Sequence, residues 1–102
     1  MIQVLVFTLG DLACAVPAEN VREVVPLCEI TPVAGAPAHI VGALPVRGKI
    51  LPVIDPNLLL GLPRLPRRLT DCIVILEWEG RAAGLVVTGI QTVRGIFERQ
   101  RA

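Results

Sequence analysis

Nine prolines and nine glycines interrupt the apolar runs of this 102-residue chain after a few residues each. Proline fixes φ and removes a backbone donor, and glycine weakens a helix interior. The chain therefore has little room for long helices and reads as many short strands joined by turns.

Residues 2–9 are rich in Val, Ile, Leu and Phe, and Gly10-Asp11 supplies a turn into Leu12-Ala-Cys-Ala-Val16, which ends at Pro17. This pattern predicts a β-hairpin. In Glu19–Val25, three β-branched valines and the following Pro26 oppose a helix, so a short turn feeding a strand is expected. Pro32–Pro37 is a loop by composition. Residues 40–46 and 49–54 flank Arg47-Gly48-Lys49 and predict a second hairpin. Asp55-Pro56 marks a helix start, with Asp55 as N-cap and Pro56 at the first helical position. That helix, near 56–60, is short because Gly61 and Pro63 follow. Arg64–Arg68 is a basic loop, Cys72–Trp78 and Ala82–Val87 flank Glu79-Gly80-Arg81 as a third hairpin, and residues 90–97 are a last strand. Arg99–Ala102 is expected to fray. Dense apolar residues in every strand imply that some are buried on both faces. About eight strands and one helix describe an all-β sandwich or barrel.

Ten Lys+Arg against nine Asp+Glu give a net charge of +1, no footprint for nucleic acid or an anionic membrane. Phe7, Trp78 and Phe97, the only aromatics, leave almost no stacking surface for single strands. No run approaches the ~18 apolar residues of a membrane span, and the amino terminus lacks the basic start of a signal peptide. A cytoplasmic protein is expected. A hydrophobic share of 53% exceeds what so small a domain hides easily, which points to a surface covered by a partner.

Catalysis has no visible seat. The chain contains neither serine nor tyrosine. Cys14, Cys28 and Cys72 are widely spaced and accompanied by one histidine, so no zinc pattern arises, and reduced, mostly buried cysteines are expected. His39, in a loop after Ala-Pro-Ala, has no positional link to a cysteine and reads as solvent-facing. No phosphate-cradling glycine motif is present. No metal and no cofactor are expected. The Arg64–Arg68 run reads as solvated. Arg47, at a tight turn between apolar strands, either pairs with Asp55 or a glutamate or contacts a partner, and the two readings are compatible.

Phe7–Asp11, Glu19–Val25, Ile30–Val33 and Gly35–Pro37, followed by Val41–Asp55, resemble the CheW-like domain family of bacterial chemotaxis coupling proteins. There a G-V-x-N-L-R-G turn precedes a strand ending in P-V-x-D. Gly80-Arg81 and Gly84–Val87 resemble its later hairpin. The resemblance runs from about residue 5 to 97. It implies a pair of small SH3-like, five-stranded β-barrels in a single domain over 1–102. Residues 1–17 with 88–98 would form a partial first barrel, and 18–87 the second. It also implies a non-catalytic adaptor that couples a chemoreceptor cytoplasmic tip to the regulatory domain of a CheA-like histidine kinase. By motif position the protein-binding surface falls on Val21, Glu23, Gly42, Arg47 and Val93, with Gly48, Asp55 and Pro56 in structural roles. Val21 and Val93 would offer apolar area, Gly42 close approach, and Glu23 and Arg47 orientation.

Three departures stand out. Pro45 replaces the asparagine before the Leu-Arg-Gly turn, and Thr88 stands where an aspartate is usual. The chain also stops where the family continues with strands that complete the first barrel. An unpaired edge is then expected to be covered in a homodimer or by a partner strand. The alternative function is a self-assembling or degenerate CheW-like structural module without receptor–kinase coupling. A small-ligand-binding barrel ranks behind both, and an enclosed cavity would distinguish it.

Overall fold

A computed structural model describes the backbone of residues 2–96 and the side chains of residues 2–91. The expected strand end at Phe97, the fraying of Arg99–Ala102 and the side chain of Val93 lie outside the described residues. The elements in chain order are β1 (Ile2–Leu9), β2 (Leu12–Pro17), a 3₁₀ turn (Ala18–Asn20), β3 (Val21–Pro26), β4 (Ile40–Val46), β5 (Lys49–Ile54), α1 (Pro56–Leu59), β6 (Cys72–Trp78), β7 (Arg81–Val87) and β8 (Gly89–Ile96). The fold is all-β, as the sequence implies.

The three hairpins form where turn residues demand them. Leu9 pairs with Leu12 across Gly10-Asp11, Val46 with Lys49 across Arg47-Gly48, and Trp78 with Arg81 across Glu79-Gly80. In the last two, both central residues have positive φ: 49° and 79° at Arg47 and Gly48, 49° and 75° at Glu79 and Gly80. A two-residue loop with that geometry is a type I′ turn, whose twist matches that of the flanking strands.

The strands assemble into two sheets, one of three strands in the order β2-β1-β8 and one of five in the order β3-β6-β7-β5-β4. All neighbours are antiparallel except β5 and β7, which are joined by Val53 opposite Gly84 and Ile54 opposite Leu85.

Among the described residues neither sheet closes; for the five-stranded sheet this departs from the barrel expected of residues 18–87. The five-stranded sheet curls until the chain leaving β3 returns to β4, but it meets it at a single bridge. There Thr31 N–H donates to Ala43 O at 3.1 Å and Ala43 N–H to Thr31 O at 2.8 Å. The next pair along this edge would need an N–H from residue 45, and Pro45 has none. On the other side Pro32 interrupts the returning segment.

Two apolar clusters hold the sheets. The inner one, within the curl of the five-stranded sheet, contains Leu44, Leu51, Val53, Ile73, Ile75 and Val86. These side chains occupy the space in which a barrel ligand would sit. The second joins the sheets: Leu5, Phe7 and Leu9 of β1 pack against Val74 and Val87 on the back of β6 and β7. Strand β6 is therefore buried on both faces, with Ile73, Val74 and Ile75 all at 0% exposure. Each such side chain contributes about 1.5–3 kcal/mol of transfer free energy.

The cysteines depart from expectation. All three are free, but Cys14 and Cys72 are half-buried and Cys28 is exposed. His39 is half-buried in the turn before β4, and its carbonyl accepts from Asp55 N–H at 2.8 Å.

Candidate protein-binding site

The sequence-singled residues of β3 and the β4–β5 turn come together through one contact. Arg47 Nε donates to Glu23 Oε2 at 3.1 Å. Arg47 thus pairs with a glutamate twenty-four positions away and not with Asp55. Its side chain is 73% exposed, and the bond engages only Nε, so the outer face of the guanidinium stays turned to solvent. A surface pair of this kind adds at most about 1 kcal/mol to stability. The left-handed φ of Arg47 costs a non-glycine residue about 1 kcal/mol, a position asparagine fills more cheaply. Turn and stability therefore give little reason for an arginine here. What the pair does is fix the direction in which a cation is presented.

Glu23 is placed by an irregularity in β3. The register with β6 shifts between Val21 and Glu23. Before the shift Val21 is half-buried against the inter-sheet cluster; after it Val25 packs on the inner cluster. Val21 thus lies at the junction of the sheets, and Val24 is 40% exposed beyond it. Arg22, inside the irregularity, pairs with Glu77 at 2.7 Å, while Asn20 Nδ2 donates to Glu77 O at 3.2 Å. These bonds tie the start of β3 to the end of β6. No local sequence signal marks Glu77 for this role.

Gly42 is buried, and its closest neighbours belong to its own chain. A Cβ there would lie 2.3 Å from Thr31 O and 2.7 Å from Ile30 Cγ2. The close approach it allows is that of the returning segment, which forms the Thr31–Ala43 bridge. Val93 stands opposite Leu5 in β8.

Asp55, 3% exposed, accepts from Asn57 N–H at 3.0 Å as the cap of α1, with Pro56 in the first turn. Sequence reasoning missed the arginines above it: Arg64 Nε and Arg67 Nη1 both stand 3.9 Å from Asp55 Oδ2. It also missed the work of Thr88. Thr88 N–H donates to Thr8 O at 2.8 Å, Thr88 Oγ1 donates to the same carbonyl at 2.9 Å, and Gly10 N–H donates to Thr88 Oγ1 at 2.9 Å. A neutral hydroxyl thus stitches the first hairpin to the crossing between the sheets.

Among the described residues, no group of three or more His, Cys, Asp and Glu is placed to hold a metal ion, and no helix is long and apolar enough to cross a membrane.

Comparison with known proteins agrees with this architecture. Residues 3–100 match the CheW-like domain family. A chemotaxis protein CheW of Rhizobium meliloti (strain 1021) is 27% identical over 97 residues, covering 95% of this chain and 63% of the relative. Protein FrzA of Myxococcus xanthus is 45% identical over 49 residues, 48% of this chain and 31% of that protein. Among solved structures, that of the scaffolding protein TtCheW from Thermoanaerobacter tengcongensis superposes with a TM-score of 0.88 at 33% identity, covering 95% of this chain and 63% of that one. The chain spans less than two thirds of the length of each of these proteins.

Proposed function

This chain belongs to the CheW-like domain family, and on that premise we propose that it is a non-catalytic adaptor coupling chemoreceptors to a histidine kinase in chemotaxis-type signalling. Its partners are the cytoplasmic tip of a receptor and the regulatory domain of a CheA-like kinase, which places it in the cytoplasm. The names of the relatives, a chemotaxis protein and a scaffolding protein, support the class of function. The observation that carries the site is the exposed Arg47 guanidinium held by Glu23 at a hairpin tip. A partner carboxylate meeting Arg47 would complete a three-group pair, with Val21 at the sheet junction, and Val93 of β8 on the strength of the family resemblance, as the apolar part of the surface. Gly42 acts in this reading by seating the segment behind the hairpin.

Titration calorimetry against the kinase regulatory domain and a receptor tip from the same genome tests this reading. Saturable binding, weakened about tenfold by Arg47→Ala in a still-folded protein, is the expected result. Absence of binding to both partners would sink it.

A second reading, self-assembly through a sheet edge, is favoured by one observation. Strand β2 is an outer strand with no charged residue from Leu12 to Pro17, and Leu12, Ala13 and Ala15 are exposed on it. Uncharged edges are templates for another strand. Light scattering showing a stable dimer that Ala15→Lys dissociates would support this reading; a monomer at all concentrations would remove it.

A further inference from the structure

We infer that residues 56–70, at the end of the five-stranded sheet away from Arg47, form a second contact surface for an acidic amphipathic segment of a partner protein. Its position follows from the topology. Strand β5 begins at the Arg47-Gly48 turn and ends at Ile54, and β6 begins at Cys72, so the intervening segment crosses the far end of the sheet. Six residues of extended chain separate the two places by about 20 Å.

Composition and exposure then set the chemistry. The segment carries Arg64, Arg67 and Arg68 and no acidic residue. The carboxylates at its two ends, Asp55 and Asp71, are each 3% exposed: Asp55 Oδ1 caps α1 while its Oδ2 stands 3.9 Å from Arg64 Nε and Arg67 Nη1, and Asp71 Oδ2 accepts from Arg68 N–H at 2.9 Å. Arg64 is 59% exposed and stands 3.9 Å from Asp55, beyond hydrogen-bond length. Among the described residues, no carboxylate lies within salt-bridge distance of the Arg68 guanidinium.

Between these charges Leu59, Leu60, Leu62 and Leu69 are 57%, 58%, 38% and 101% exposed. Four exposed leucines among fifteen residues are not a random scatter of surface apolar groups. Leu65 points the other way, onto the first hairpin: a Cβ on Gly10 would lie 2.9 Å from its Cδ1. Beside it opens a groove of about 390 Å³ lined by Leu9, Gly10, Asp11, Leu65, Arg68 and Thr88 among others. A concave groove of mixed polar and apolar lining, with the Arg68 cation among its walls, fits an inserted side chain flanked by carboxylates, which favours a folded or folding peptide over a flat bilayer. Asp11 is the one acidic group in that lining, so its neutralisation should strengthen binding. The surface is independent of the Arg47 site, and the two together would let one domain hold two partners at once.

The test uses the full chain and a fluorescent peptide of about twelve residues, with leucines at helical spacing and glutamates between them. A twin with lysine for every glutamate and vesicles of phosphatidylglycerol serve as rivals. The expected result is saturable binding of the glutamate peptide, weakened at least about tenfold by Arg64→Glu with Arg68→Glu and by raised salt. Leu60→Ser with Leu69→Ser should weaken it too, Asp11→Asn should tighten it, and Arg47→Ala should leave it unchanged. Circular dichroism melts confirm that each variant is folded. Absence of binding, equal binding of the lysine twin, indifference to the arginine reversals, or capture by vesicles alone would each overturn the inference. Loss with Arg47→Ala instead would return the contact to the site already proposed.

Discussion

The two sheets are made of similar hairpins and differ in what stands behind them. The five-stranded sheet has a core of its own, built from Leu44, Leu51, Val53, Ile73, Ile75 and Val86. Among the described residues the three-stranded sheet shows no such cluster of its own: Leu5, Phe7 and Leu9 are buried against Val74 and Val87 of the other sheet. The lesson is one of dependence. The larger sheet carries its own apolar free energy, and the smaller one is stable by attachment. Amide exchange should show the same asymmetry, slowest in β6 and β7 and fastest in the outer strand β2.

The largest expected effect comes from the attachment itself. Phe7→Ala removes the biggest side chain of the shared cluster and should cost about 4 kcal/mol. Chemical denaturation followed by Trp78 fluorescence and by circular dichroism checks it. Coincident transitions would mean that the sheets unfold together; two separated transitions would break the comparison, showing that the smaller sheet can leave first.

A smaller loss is expected within the larger sheet. Gly42→Ala forces a methyl against the Thr31 carbonyl and should cost about 2–3 kcal/mol, releasing the segment that returns to β4. Faster exchange at Ala43 and Thr31, with protection of β1 unchanged, would sharpen the contrast. Loss of protection in both sheets would blur it.

Thr88→Val should cost about 0.5–1.5 kcal/mol, because the part-buried Thr8 carbonyl loses a donor and the exposed Gly10 N–H its acceptor while shape is kept. A thermal melt gives the value, and no change would mean that water replaces the hydroxyl. The smallest stability effect belongs to Arg47→Ala, below about 1 kcal/mol. A loss above that in the same melt would make the ion pair a structural device and weaken its reading as a contact.

Most of the fold was legible because its punctuation is local. Gly10-Asp11, Arg47-Gly48 and Glu79-Gly80 announce their turns, Asp55-Pro56 announces α1, and unbroken apolar runs such as Ile73–Leu76 announce strands buried on both sides. What escaped the sequence is contact between distant segments. Nothing local says that β5 lies beside β7 in parallel, or that Arg47 reaches Glu23 while Asp55 faces Arg64 and Arg67. The failure of the larger sheet to close depends on Pro45 meeting an edge that only the tertiary structure defines. Of the candidate site, Glu23 and Arg47 were nameable through family resemblance, whereas their pairing was not, since long-range charge partners leave no spacing signal.

Pro45 has a further consequence for how this molecule behaves in company. Ala43 turns its peptide group outward to Thr31, and two residues on, residue 45 faces the same way. Its ring therefore removes a donor from the open rim of β4 without taking a bond from the sheet. A rim with a gap in its donor row is a poor template for a further strand. Neighbours crowding against this side of the protein would meet a broken donor row, which favours recognition by side chains over the addition of a strand.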